Sequence, residues 1–205
     1  MQKTLLVNAS PHGTHALGYR LAQKITVGDR QLDPNERLIE RNLVATPLKP
    51  LTSDYVTALV NTRLDDSVAP ALMESESLIR ELEQSTRLVI ALPMHNFSVP
   101  AALKLWIDHV VRINRTFVAS AEGKVGLLAD RPTIVLISSG GMLQESGSQP
   151  DFVTSYLKLI LGTIGIHDLH FVYLQGLALG DAAIAMAWQQ AHIDLAAAGL
   201  LTVAN

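Results

Sequence analysis

Cysteine is absent from all 205 residues. Disulfides, iron–sulfur clusters, thiolate zinc sites and cysteine nucleophiles are thereby excluded in one step. Charge is sparse as well: Asp, Glu, Lys and Arg make up 17% of the chain, the formal net charge is −3, and no Lys/Arg run stands out. Nucleic acid and an anionic membrane surface are therefore not expected as partners. No uninterrupted apolar stretch approaches the roughly 20 residues of a membrane span. The Ala-rich carboxyl-terminal segment comes nearest, but Gln189, Gln190, His192 and Asp194 break it. The apolar part of Met1 to Asn8 is too short for a signal peptide, so a cytoplasmic protein is the simplest expectation. Internal repeats and low-complexity tracts are missing too.

What is present is a regular alternation of apolar runs and helical patterns in a chain that is 48% hydrophobic. Strands are expected at Lys3–Asn8, Arg37–Leu43, Arg87–Leu92, Thr133–Ile137 and Leu169–Leu174. Between them, helices are expected near 14–26, 52–61, 70–85, 100–114, 151–164 and 181–198, the first with Leu17, Leu21, Ala22 and Ile25 on one face. The segment 116–131 has no clear period and reads as a surface excursion beside the site. Strands alternating with helices imply a parallel sheet covered on both faces. The expected fold is α/β and flavodoxin-like: one domain, 1–205, with a five-stranded parallel sheet in the order 2-1-3-4-5.

In such a fold ligands bind beyond the carboxyl ends of the strands, where three loops should meet. The first runs from Asn8 to Gly18 into a helix whose amino terminus suits an anion. Gly13 and Gly18 have Walker A spacing, but Tyr19-Arg20 stands where Lys-Ser/Thr is required, which disfavours nucleotide triphosphate hydrolysis. No G-x-G-x-x-G follows the strand, so a Rossmann dinucleotide site has no support. The second loop, Pro93-Met94-His95-Asn96-Phe97-Ser98-Val99-Pro100, is pinned by a proline at each end. The third, Ser138-Ser139-Gly140-Gly141, lets a flat ligand approach the backbone. Taken singly, the first and third also read as ordinary turns. Together the three fit a ligand with a phosphate tail and a planar polar ring, of which flavin mononucleotide (FMN) is an example.

Here the chain resembles the FMN-dependent NADH-azoreductase family, a branch of the flavodoxin-like quinone reductases. The family's Pro-Met-Tyr-Asn-Phe loop appears as Pro93–Phe97, and its Pro-x-x-Leu-Lys-x-Trp-Ile-Asp helix matches Pro100, Leu103, Lys104, Trp106, Ile107 and Asp108. Arg115-Thr116-Phe117, Glu122-Gly123, Val125–Leu128, Ser138–Gly141, Tyr156, Leu161–Ile166 and Gly176–Gly180 keep family order along essentially the whole chain. The resemblance implies that Ser10 and the amides of Ala16, Leu17 and Gly18 hold the FMN phosphate. It implies that Met94, His95, Asn96 and Phe97 lie along the isoalloxazine and that Ser138, Ser139, Gly140 and Gly141 meet its pyrimidine side. The implied substrate contacts are Asn96, Phe97, Ala119 and Thr163. The implied partner is a second copy, whose residues complete each pocket.

Departures from the family pattern bear on particular roles. Ala16-Leu17-Gly18 replaces Ser-x-Ser and removes two hydroxyl ligands for phosphate, leaving backbone amides with His12 and His15 as candidate substitutes. His95 replaces a Tyr, and Ser139 replaces an Arg. Ala119 and Thr163 stand where many members carry aromatics, which should weaken stacking on aromatic acceptors. The implied activity is transfer of two electrons from NADH or NADPH to a small-molecule acceptor (quinone, azo or nitro compound) by a ping-pong scheme. No Arg cluster for a 2′-phosphate is visible, which leans toward NADH. The cofactor performs the chemistry, so no catalytic side chain is assigned.

Two other classes stay open: a flavodoxin-type one-electron carrier, against which −3 is weakly acidic, and a flavin-poor regulatory or binding protein on the same fold. No metal site is expected, since His12/His15 and His167/His170 each lack a third ligand. His109 and His192 read as solvated, and Trp106 and Trp188 as core or interface residues. Asp65-Asp66 reads as a loop charge pair. Ser10 lacks a nucleophile-elbow context.

Overall fold

A computed structural model describes residues 3–32, 36–61, 69–143 and 149–201, with backbone alone for 27–32 and 61. The continuous apolar runs form its central strands. Among these are β1 (Lys3–Asn8) and β3 (Arg87–Pro93); between them in sequence lies the largely polar edge strand β2 (Arg37–Asn42). Around them lie helices α1 (Leu17–Leu32), α2 (Ser53–Asn61), α3 (Met73–Gln84) and α4 (Ala101–Val110). A hairpin follows, β4 (Phe117–Ser120) and β5 (Gly123–Gly126), then β6 (Thr133–Ser138), α5 (Phe152–Thr163), β7 (Leu169–Leu174) and α6 (Asp181–Ala197). The main sheet is parallel throughout, in the order β2-β1-β3-β6-β7. With the hairpin set aside, this is the expected 2-1-3-4-5 arrangement.

Alternation along the strands divides the core into two layers. Leu5, Val7, Leu88, Ile90, Val135 and Ile137 face α3, α4 and α5, where Leu78, Ile79, Leu103, Trp106 and Leu157 meet them. Leu6, Val89, Ala91, Ile134 and Leu136 face α1 and α6, against Leu21, Ala22, Ile25, Ala187 and Ala191. Central strands buried on both faces read as unbroken apolar runs, which is why they were visible in the sequence.

Several expectations need correction. The helix expected from Thr14 begins at Leu17. A 3-10 turn, Gly13–His15, precedes it, and Ala16 between them is extended (φ −62°, ψ 133°). Gly13 enters that turn at φ +54°, a conformation glycine reaches without a Cβ penalty. Segment 116–131 contains the antiparallel β4–β5 hairpin and lies at the amino edge of the sheet, where Leu128 N donates to Ile164 O at 3.0 Å. It is therefore not beside the carboxyl-edge loops of its own chain. His109 is not solvated but 3% exposed, with Nε2 2.9 Å from Lys49 O and its ring edge-on to Tyr55. His192 is half-buried, its Nδ1 2.8 Å from Trp188 O. Trp106 is a core residue as expected, fully buried, whereas Trp188 is half-buried, with Arg20 and Lys24 over its ring. Asp65-Asp66 lies outside the described residues.

An ion cluster joins α3 to the loop after α4. Glu76 accepts from Arg112 Nη2 at 3.0 Å and from Arg115 Nη2 at 2.9 Å, while Arg115 also reaches Glu83. The Arg115 hydrogen bond, with the charges of Arg115 and Arg112, holds the Glu76 carboxyl below its ordinary range against the opposing effect of burial.

Candidate functional site

At the end of β1, short polar side chains organise the chain reversal. Asn8 Oδ1 accepts from Ser10 N (3.1 Å), Ser10 Oγ accepts from His12 N (3.3 Å), and Ser10 O accepts from Gly13 N (3.0 Å). Asx- and Ser-turns of this kind shape the backbone where neither helix nor strand does. Asn8 is fully buried, and its Nδ2 donor has no partner. Arg20 N bonds Ala16 O, so the amides of the first turn of α1, from Leu17 onward, have no intrahelical acceptor.

The loop after β3 is a tight turn. His95 N donates to Ser98 O (2.9 Å) and Ser98 N to His95 O (3.0 Å), while Asn96 and Phe97 both take positive φ, +49° and +65°. Two consecutive positive φ values mark a type I′ turn, which Asn favours at the first position and Gly at the second. Phe in the second position is therefore strained, and its side chain is 45% exposed. Met94 N donates to Ser138 O at 2.7 Å, tying the turn to the end of β6.

The Ser138–Gly141 loop is joined by backbone bonds to a segment the sequence reading had not assigned to the site. Ser139 N donates to Leu174 O, Leu177 N to Ser139 O, Ala178 N to Gly140 O and Gly176 N to Gly141 O, at 2.8–3.1 Å. Gly176 makes this possible at φ +74°. The Gly-Leu-Ala-Leu-Gly motif at 176–180 was visible as a resemblance, but nothing in its composition marks it as a ligand wall.

Two adjoining cavities occupy this edge. One, about 340 Å³, is lined by Ser10, His12, His15, Ala16 and Leu17 on one side and by Pro93, Met94, His95, Ser138, Ser139, Gly140 and Leu177 on the other. The second, about 500 Å³, is lined by Met94, Asn96, Phe97, Ser139, Gly140, Gly141, Gln149, Ala178 and Leu179. Met94, Ser139 and Gly140 are common to both, so the two form one elongated cleft with a helix amino terminus at one end.

The structure thus brings Ser10, Ala16, Leu17, Met94, His95, Asn96, Phe97, Ser138, Ser139, Gly140 and Gly141 together as expected. Gly18 is buried behind the wall, where a Cβ would lie 3.2 Å from Ser138 Oγ. Only its amide remains available for the assigned role. Ala119 and Thr163 do not reach the cleft of their own chain. Thr163 ends α5, which starts at the carboxyl edge and runs to the amino edge, a path of about 17 Å for its length. Ala119 belongs to the hairpin that packs at that same far edge. Sequence reasoning missed Gln149, Leu177, Ala178 and Leu179. Among the described residues no cluster of three or more His, Cys, Asp or Glu is placed to hold a metal. Among the described residues that line the cleft there is no Lys, Arg, Asp or Glu.

Sheet order and a cleft at the point where the order reverses, between β1 and β3, define a doubly wound α/β protein with its ligand site at the topological switch. The chain belongs to the flavodoxin-like fold family, whose model matches residues 2–198. It is 52% identical over 196 residues (95% of this chain, 94% of the relative) to FMN-dependent NADH:quinone oxidoreductase 4 of Pseudomonas fluorescens. It is 50% identical to FMN-dependent NADH:quinone oxidoreductase 5 of Burkholderia lata, covering 90% of both chains. Among solved structures, an FMN-dependent NADH-azoreductase of Bacillus anthracis in complex with FMN superposes with a TM-score of 0.81 at 25% identity. That superposition covers 98% of this chain and all of the other.

Proposed function

We propose that this chain is an FMN-dependent NADH:quinone oxidoreductase that also reduces azo and nitro compounds, with FMN held in the carboxyl-edge cleft. The observation that carries the reading is the convergence of an amide-rich helix terminus, a strained aromatic turn and a glycine loop on one cleft at the β1/β3 switch. The residues present fit the group. Ser10 and the first amides of α1 offer donors at the phosphate end. Asn8 Nδ2 is a buried donor without a partner one residue before that loop. Gly140 and Gly141 leave the cleft wall without side chains where a flat ring would lie. FMN bound there supplies reversible two-electron chemistry.

The chain's own residues bind and orient. Met94, Asn96 and Phe97 form one wall, fixed to β6 through the Met94 amide, and Leu177–Leu179 form the other. Donor and acceptor share this open face in turn, which gives ping-pong kinetics, and NADH is the favoured donor because no Arg among the described residues lines the cleft to meet a 2′-phosphate. Ala119 and Thr163, distant from the cleft within one chain, act on the cleft of a second copy in a homodimer. The whole chain, 1–205, serves as one domain. Among the described residues no helix is long and apolar enough to cross a membrane.

Flavin-stripped protein titrated with FMN, followed by the visible absorption band, should saturate. NADH should then drive quinone reduction with parallel double-reciprocal plots. Intersecting plots would overturn the shared-face scheme. Failure to bind FMN would favour the flavin-poor reading.

A further inference from the structure

Three of the chain's seven histidines line the smaller cavity: His12 and His15 from the β1–α1 loop, and His95 from the β3–α4 turn across from them. His12 and His15 flank the Ser10 turn and the start of α1, and all three side chains are exposed rather than committed to the core. Among the described residues no group of three or more His, Cys, Asp or Glu is placed to hold a metal ion, and these three imidazoles are no exception. His12 and His15 line the cavity beside Ala16 and Leu17, at the amino terminus of α1.

We infer that His12 and His15 supply the positive charge by which this cleft selects a phosphate-bearing flavin over a phosphate-free one. The inference rests on the flavin reading of the same cleft and adds to it a charge-based, pH-dependent selectivity. Backbone amides and the Ser10 hydroxyl do not titrate near neutrality, whereas histidine changes charge between roughly pH 5 and 8. A protonated imidazole donates a charge-assisted hydrogen bond to phosphate oxygen, and a neutral one gives a weaker one.

Among the described residues no other charged group lines this cavity. From the β3–α4 turn only His95 faces the pair. The β6–α5 and β7–α6 walls contribute Ser138, Ser139, Gly140 and Leu177, none of them titratable. Arg20, on the first turn of α1, lies over the Trp188 ring on α6. Asp181, at the start of α6, is outside the lining.

The sign of the pH effect separates protein from ligand. Acidification protonates the imidazoles and strengthens the hold on phosphate. It also protonates the phosphate, whose second pKa is about 6, and that weakens the hold. A preference for phosphate that grows from pH 8 down to pH 6.5 therefore comes from the protein.

The test measures affinities for FMN and riboflavin by calorimetry at both pH values. It compares the native sequence, His12→Gln, His15→Gln, the double variant and the remote control His167→Gln. The FMN-to-riboflavin preference should rise on acidification in the native sequence and the control. It should fall about fivefold per variant, within the range of a charge-assisted hydrogen bond at an exposed site, and lose its pH dependence in the double variant. Riboflavin affinity should stay constant throughout. An unchanged preference in the double variant overturns the inference while leaving the flavin reading standing. So does a pH dependence that persists there and disappears only on His95→Gln. A native protein that binds neither flavin overturns both.

Discussion

Phe97 holds a left-handed backbone conformation, φ +65°, that costs a bulky L-residue about 1–2 kcal/mol. Strain of this kind persists where the surroundings over-determine it, here through the paired His95–Ser98 bonds and the Met94–Ser138 tie. Phe97→Gly should therefore leave the unfolding free energy within about 1 kcal/mol of native, because relief of strain offsets the entropy cost of glycine. The KM for aromatic acceptors should rise several-fold as an apolar wall of the cleft is lost. Urea unfolding and steady-state kinetics check the two halves separately, and a loss of more than about 2 kcal/mol would mean that the ring anchors the fold. At this scale the sequence is legible where spacing is specific: Met94–Phe97 and Ser138–Gly141 read as ligand loops, and they line the cleft. It misled at His109, since a histidine on an apolar helix shows no sign of whether a carbonyl such as Lys49 O will cover it. It gave no site role to Leu177–Leu179, which the backbone bonds of Leu177 to Ser139 and of Ala178 to Gly140 bring to the cleft.

Between elements, the Glu76 cluster fastens α3 to the loop that leads from α4 into the hairpin. Breaking a buried ion pair leaves an uncompensated charge, so Glu76→Ala should cost about 3 kcal/mol in urea unfolding. Its pH dependence has a definite sign. The folded-state pKa of Glu76 is depressed by Arg115 and Arg112, so its contribution is fully present above the unfolded carboxylate range, near 4.3. That contribution is lost as pH falls through the lower, folded value. Native stability should thus drop on acidification below about pH 4.5, and the Glu76→Ala variant should show a shallower drop. A hairpin of two four-residue strands, mostly exposed, has too little alternation to reveal itself, which is why 116–131 read as irregular. The long buried strands and Pro100, which opens α4, gave stronger signals.

For the molecule as a whole, the parallel sheet puts the cleft at one edge and the hairpin with the end of α5 at the other. Phe152 and Leu159, seven residues apart along one side of α5, are exposed and belong to neither core layer.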